Sequence, residues 1–203
     1  LNTNRTVTQM HFGGGTPTYF SPEQLEEVIS AVKEVFPNFA SDAEVSCEVD
    51  PRYFTVEHMQ VLKKGGCNRL SFGVQDLDEE VQKTIHRIQP FELTQNVIKI
   101  ARDAGIHSVN TDLIYGLPLQ TRESFKRTLE KMLTLNTDRF AVFNYAHVPW
   151  LMKTMRKFDE STFPKPETKL EMLKDTIDFF PSNGHQTVGM DPFAKHEDEL
   201  LNA

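Results

Sequence analysis

Apolar and polar residues alternate with a period of two over short runs at 8–12, 43–49, 69–74, 108–114 and 139–145, with a weaker run at 186–188, and this pattern predicts β-strands. Between them lie stretches with helical spacing of apolar residues, at 22–35, 56–64, 79–86, 93–104, 123–135 and 166–180. Ser21 followed by Pro22 and Gln24 is a helix-start signal, and Gly65-Gly66 and Gly105 are stop signals. Strand and helix therefore alternate. That order predicts an α/β fold of βα units around parallel strands with right-handed crossovers, most simply as one domain.

The strands have two unlike faces. One holds Met10 and Phe12, then Val45, Cys47 and Val49, then Leu70, Phe72 and Val74, then Val109 and Leu113, and is expected to pack on helices. The other holds Gln9, His11 and Gly13, then Glu44, Ser46 and Glu48, then Arg69, Ser71, Gly73 and Gln75, then Ser108, Asn110 and Asp112. A closed eight-stranded barrel is filled by branched apolar side chains. Burying so many polar groups without partners would cost roughly 1–3 kcal/mol each. The expectation is a partial (β/α) barrel whose polar lumen holds ligand or water; the alternative is a flat sheet with one solvated face.

The first strand runs into His11-Phe-Gly-Gly-Gly-Thr-Pro17, three glycines and a hydroxyl before a helix. Without Cβ atoms a ligand can approach the backbone, and the amides can face an anion; a tight strand-to-helix connection or a phosphate loop are the alternatives. In α/β folds of this kind sites lie at the carboxyl ends of the strands. There the chain places Gly13 to Thr16, Glu48 to Asp50, Gln75 with Asp76, Asp112, and Asn144 to His147. Glu48 and Asp112 can accept from a ribose diol or an ammonium, Gln75 can donate and accept, and Arg87 can meet a carboxylate through two parallel hydrogen bonds. Alternatively, Glu48 and Asp50 cap the turn before Pro51, and Arg87 balances a helix dipole.

The 203 residues are enough for a sizeable layered core. A formal charge of −7 argues against general nucleic-acid binding. Two cysteines, Cys47 and Cys67, argue against a disulfide framework. With no apolar run long enough to span a bilayer and no signal peptide, a cytoplasmic protein is expected. The chain opens on Leu1, so it reads as a piece of something longer.

Six ordered segments carry a family resemblance: His-Phe-Gly-Gly-Gly-Thr-Pro-Thr (11–18), Glu-Val-Asp-Pro-Arg (48–52), Asn-Arg-Leu-Ser-Phe-Gly-Val-Gln-Asp (68–76), Asn-Thr-Asp-Leu-Ile-Tyr-Gly-Leu-Pro (110–118), Phe-Asn-Tyr-Ala-His-Val-Pro (143–149) and Gly-Met-Asp-Pro-Phe-Ala (189–194). Together they resemble the oxygen-independent coproporphyrinogen III oxidase (dehydrogenase) family of the radical S-adenosylmethionine superfamily. The resemblance implies a partial barrel, a 4Fe–4S cluster and one or two molecules of S-adenosylmethionine. The implied reaction is oxidative decarboxylation of two propionates of coproporphyrinogen III to the vinyls of protoporphyrinogen IX, in haem biosynthesis. It further implies cosubstrate ligands at Gly14, Gly15, Thr16, Glu48, Gln75, Arg87, Asp112 and Ala146, the last through its backbone against adenine. An electron donor for the cluster, a monomeric state and no membrane partner go with it.

One departure from the family is large. Its cluster is held by Cys-x3-Cys-x2-Cys, and this chain has no such motif. The expectation is a central fragment, lacking the cluster loop and the C-terminal domain and inactive alone. In the whole protein the resemblance implies reductive cleavage of S-adenosylmethionine at the cluster's open iron, and a 5′-deoxyadenosyl radical that takes hydrogen from a propionate β-carbon before carbon dioxide leaves. The competing reading is a haem carrier of the same superfamily branch. The Glu48-Val-Asp-Pro-Arg52 and Tyr145-Ala-His-Val-Pro149 segments favour the oxidase.

Overall fold

The computed structural model describes residues 5–189 and 192–195. In chain order they form β1 (Val7–Phe12), α1 (Pro22–Val35), β2 (Phe39–Val49), α2 (Val56–Lys64), β3 (Arg69–Gln75), α3 (Glu79–Thr84), α4 (Phe91–Asp103), β4 (Ser108–Tyr115), α5 (Arg122–Leu133), β5 (Arg139–Asn144), α6 (Pro166–Ser182), β6 (His185–Thr187) and β7 (Pro192–Lys195). Short 3-10 turns at Pro17–Tyr19, Pro51–Tyr53, Lys153–Lys157 and Glu160–Thr162 lie in three of the connections, the last two both between β5 and α6. The fold is mixed α/β with a mostly parallel sheet of seven strands, as the alternation predicts. Contacts divide the chain into two compact units, one running up to Gly73 and taking in Glu92–Asn110, the other made of Val74–Phe91 and the chain from Thr111 onward.

In the first unit the strand order is β1-β2-β3-β4. Parallel register sets Met10 beside Val45 and Phe12 beside Cys47, then Cys47 beside Leu70 and Val49 beside Phe72. These residues of β2 and β3 are almost fully buried, together with Leu25 and Ile29 of α1 and Met59 and Leu62 of α2, so the apolar strand face is the core. Helix α1 starts where the sequence says: the Ser21 hydroxyl accepts from Gln24 N at 3.3 Å while Gln24 Oε1 accepts from Ser21 N at 2.9 Å, closing a capping box around Pro22.

Much of the polar strand face of this unit is paired across strands, although the Ser108 hydroxyl and Arg69 Nε are buried without a hydrogen-bond partner. Gln9 donates to Glu44 at 3.1 Å, Arg69 pairs with Glu44 at 2.9 Å, His11 Nδ1 bonds the Ser46 hydroxyl at 2.8 Å, and Asn110 Nδ2 donates to Ser71 at 2.7 Å. Cross-strand pairs of this kind offset the desolvation that an apolar lumen would avoid.

In the second unit the order is β4-β5-β7-β6, and two strands depart from the parallel expectation. β7 runs antiparallel to β5, with Phe140 opposite Phe193, and β6 antiparallel to β7, with His185 opposite Lys195. The sequence pattern does not predict β7. It is four residues long and opens on a proline, too short to show alternation. The unit's core stacks Phe180 on Phe140 and on Phe193, each pair with centroids 4.6 Å apart, while Phe125, Leu129 and Met132 bury the inner face of α5.

Candidate functional site

In the first unit, β1 ends in the glycine loop, and its three glycines are there for three different reasons. A Cβ on Gly13 would sit 2.5 Å from His11 Nε2 and 3.1 Å from Glu48 Oε1, so a side chain there would have to displace the His11 ring from its place beside Glu48. Gly14 has φ +98°, a left-handed backbone that side-chain-bearing residues resist. Gly15 has neither constraint, and a Cβ there would meet nothing within 4 Å. Space around a glycine that the fold does not need leaves room for a ligand to approach the backbone closely. Gly13, Gly15 and Thr16 also line a cavity of about 630 Å³ with Phe12, Tyr19 and Leu25. Thr16 opens the turn Pro17–Tyr19 without using its hydroxyl as a cap.

Glu48, on β2, is half-exposed and its Oε1 lies 3.4 Å from His11 Nε2. It caps no helix. Asp50 does what the structural alternative says: it accepts from the backbone of Arg52 at 3.0 Å and holds that guanidinium through Nε at 3.0 Å and Nη2 at 2.7 Å. This carboxylate is a turn cap.

In the second unit, Gln75 closes β3 with φ +69°, uncommon for a residue with a side chain, and its buried Oε1 has no hydrogen-bond partner. Backbone strain and an unsatisfied acceptor on one residue together point to a ligand, because structure alone rewards neither. Behind it Asp76, fully buried, accepts from the Thr128 hydroxyl at 2.6 Å, from Gln120 Nε2 at 2.5 Å and from Asp78 N at 2.9 Å. Gln82 Nε2 donates to the carbonyls of Asp76 and Gln89. Burial raises the Asp76 carboxyl above the usual aspartate range, against the pull of these donors. Sequence reasoning placed Asp76 at the site but missed Gln120, Thr128 and Gln82, whose side chains look like any helix or loop residue until the fold gathers them.

Arg87 follows α3 and is half-buried, its amide donating to the Gln82 carbonyl at 2.8 Å. Asp112 is half-buried between the fully buried Thr111 and Leu113 of β4. Ala146 is exposed just beyond β5, where Tyr145 N donates to the Tyr115 carbonyl at 2.8 Å and fixes the exit of the chain. Tyr145 stacks on Phe163 at 5.6 Å, and burial raises its hydroxyl pKa.

Among the predicted residues, then, Gly14, Gly15, Thr16 and Glu48 belong to one unit, and Gln75, Arg87, Asp112 and Ala146 to the other. In the first unit Gly15 has open surroundings at its backbone, and in the second Gln75 has an orphaned acceptor; each by itself leaves a place for a polar ligand. The cysteines do not fit a cluster. Cys47 and Cys67 are almost wholly buried, burial pushing the Cys67 thiol up to about 12 and Cys47 higher still, the nearby Cys67 adding to that second shift. The described residues contain no group of three metal-ligating side chains.

Comparison with known proteins places the chain. Over all 203 residues it is 62% identical to the oxygen-independent coproporphyrinogen III oxidase of Helicobacter pylori J99 and 46% identical to that of Escherichia coli K12, spanning 44% of the length of each. Its fold superposes on the solved coproporphyrinogen III oxidase from Escherichia coli with a TM-score of 0.94 at 46% identity, covering 98% of this chain and 46% of that one. The family model for the radical SAM superfamily matches residues 1–132, and the chain belongs to that superfamily.

Proposed function

We propose that the chain is the cosubstrate-binding part of an oxygen-independent coproporphyrinogen III oxidase, which decarboxylates two propionates of coproporphyrinogen III to give protoporphyrinogen IX. The observation that carries this reading is the 62% identity over every residue of the chain to an oxidase of that name. In this reading residues 1–203 are one incomplete radical SAM core, and the cluster ligands come from elsewhere in a protein of which the relatives are more than twice as long. When bound, S-adenosylmethionine and a 4Fe–4S cluster supply the hydrogen-abstracting radical chemistry.

The residues of this chain bind, orient and shield. Gly14, Gly15 and Thr16 present backbone and hydroxyl groups to the methionyl part of the cosubstrate, and Arg87 receives its carboxylate. Glu48 and Asp112 accept from its ammonium and ribose hydroxyls, Gln75 donates or accepts through its amide, and Ala146 offers backbone to the adenine. A second S-adenosylmethionine molecule and an external electron donor belong to the same reading, as do a cytoplasmic location and a monomeric state. No helix among the described residues is long and apolar enough to cross a membrane.

The test is calorimetric titration of the full-length protein with S-adenosylmethionine and, separately, an absorbance titration with haem. The reading expects saturable binding of the first and no tight Soret shift with the second. A tight Soret shift with no S-adenosylmethionine binding would make the protein a haem carrier.

A further inference from the structure

The segment after Ala146 exposes a run of apolar side chains followed by basic ones. Trp150, the only tryptophan, and Leu151 and Met152 are consecutive and exposed at 69%, 74% and 52%. Lys153, Arg156 and Lys157 follow on a 3-10 turn, all exposed or half-exposed, before the first acidic residue at Asp159. In a chain of net charge −7, residues 150–158 carry three positive charges and no negative one. Lys153 and Lys157 have no carboxylate partner among the described residues.

The segment is ordered by its own backbone. Leu151 N and Met152 N both donate to the Val148 carbonyl, at 2.9 and 3.0 Å, and Arg156 Nε donates to the Pro149 carbonyl at 2.9 Å. The arginine is thus tied beside the turn that displays Trp150, with its terminal nitrogens still available. Chain length sets the distance to the cosubstrate residues: Trp150 follows Ala146 by four positions, so the two lie within about 14 Å of each other.

We propose that this segment binds the tetrapyrrole substrate, Trp150, Leu151 and Met152 lying against the macrocycle and Lys153, Arg156 and Lys157 holding the propionates that the reaction leaves intact. The inference rests on the oxidase reading. Its chemistry follows from the substrate: coproporphyrinogen III is an apolar macrocycle with four propionates, of which two must reach the reacting atoms. The other two carry negative charge through the reaction unchanged and need counter-charges that do not touch the chemistry. An apolar triplet followed by cations spaced along one turn matches that pattern, and such complementarity sets register as well as affinity.

The experiment uses the full-length protein, with coproporphyrin III as fluorescent probe and its uncharged tetramethyl ester as control. Exposed ion pairs are individually weak, so the triple variant Lys153→Ala, Arg156→Ala, Lys157→Ala is expected to lose about tenfold in affinity for the acid. Its affinity for the ester and for S-adenosylmethionine should match the parent, which also reports a retained fold. Trp150→Ala should weaken both acid and ester. Parent-like affinity for the acid in the triple variant, with the parent still binding and turning over substrate, would overturn the proposal and leave the oxidase reading intact. If Trp150→Ala lowers thermal stability with no change in porphyrin affinity, the patch packs against another part of the protein and the proposal falls. If the parent neither binds the porphyrin nor turns over substrate, the oxidase reading falls and this proposal with it.

Discussion

Gln120 donates from Nε2 to Asp76 Oδ2 at 2.5 Å, and it can do so in only one amide orientation, because its Oε1 is taken by the backbone amides of Gly116 and Leu117. Asp76→Asn would set an amide against that fixed donor or against the donors on its other oxygen. The variant is expected to lose about 1–3 kcal/mol of stability in the full-length protein, the scale of an unsatisfied buried group.

The same residue gives a pH dependence with a definite sign. Burial raises the folded-state pKa of Asp76 above the ordinary 3.8, so the folded chain binds the proton more tightly than the unfolded one. Stability from this group is therefore greatest below the ordinary value and falls as pH rises through the raised one. The amide introduced by Asp76→Asn cannot titrate. The stability difference between parent and variant, read from urea midpoints, should be larger near pH 4 than near pH 7; a difference that grows toward neutral pH would mean that the donors around Asp76 outweigh its burial.

Gly14 and Gly15 separate conformation from ligand contact. Gly14→Ala should cost roughly 1 kcal/mol of stability from its left-handed backbone alone. Gly15→Ala should leave stability within about 0.5 kcal/mol of the parent, since its Cβ meets nothing. S-adenosylmethionine affinity, measured by calorimetry, should nevertheless fall in the Gly15 variant. If binding were untouched there, the loop would be only a tight strand-to-helix connection.

Gln75 should show opposite signs in stability and binding. Gln75→Ala removes a buried acceptor without a partner, so the unliganded protein is expected to gain up to about 1 kcal/mol while S-adenosylmethionine binds more weakly. Glu48→Gln and Arg87→Ala should each weaken binding by about 1.5–3 kcal/mol, and Arg87→Lys should recover only part of it, since an ammonium cannot form two parallel bonds to a carboxylate. Unchanged affinity in both Glu48→Gln and Arg87→Ala would remove them from the site.

The two-residue alternation made most of this fold legible. α1 begins where Ser21 and Pro22 say it should and α2 ends at Gly65, and buried Leu70, Phe72 and Val74 alternate with half-buried Ser71 and Gly73 as read. β7 was not legible, because four residues opening on Pro192 give no period and its antiparallel return reads as loop. At the site, the glycine loop and the carboxylates at strand ends stand out in the sequence because their residue types are unusual there. The left-handed Gln75 does not, since glutamine has no preference for that conformation, and neither does the Asp76–Gln120–Thr128 knot, which joins residues up to 52 positions apart.

Anaerobic turnover of the full-length protein with coproporphyrinogen III, S-adenosylmethionine and a low-potential reductant decides whether it is an oxidase, with 5′-deoxyadenosine and porphyrin product counted together. The expected result is protoporphyrinogen IX, 5′-deoxyadenosine formed with it, and loss of both in Arg87→Ala at limiting S-adenosylmethionine. Intact coproporphyrinogen III with no 5′-deoxyadenosine, in protein carrying a full complement of iron and sulfide, would contradict it.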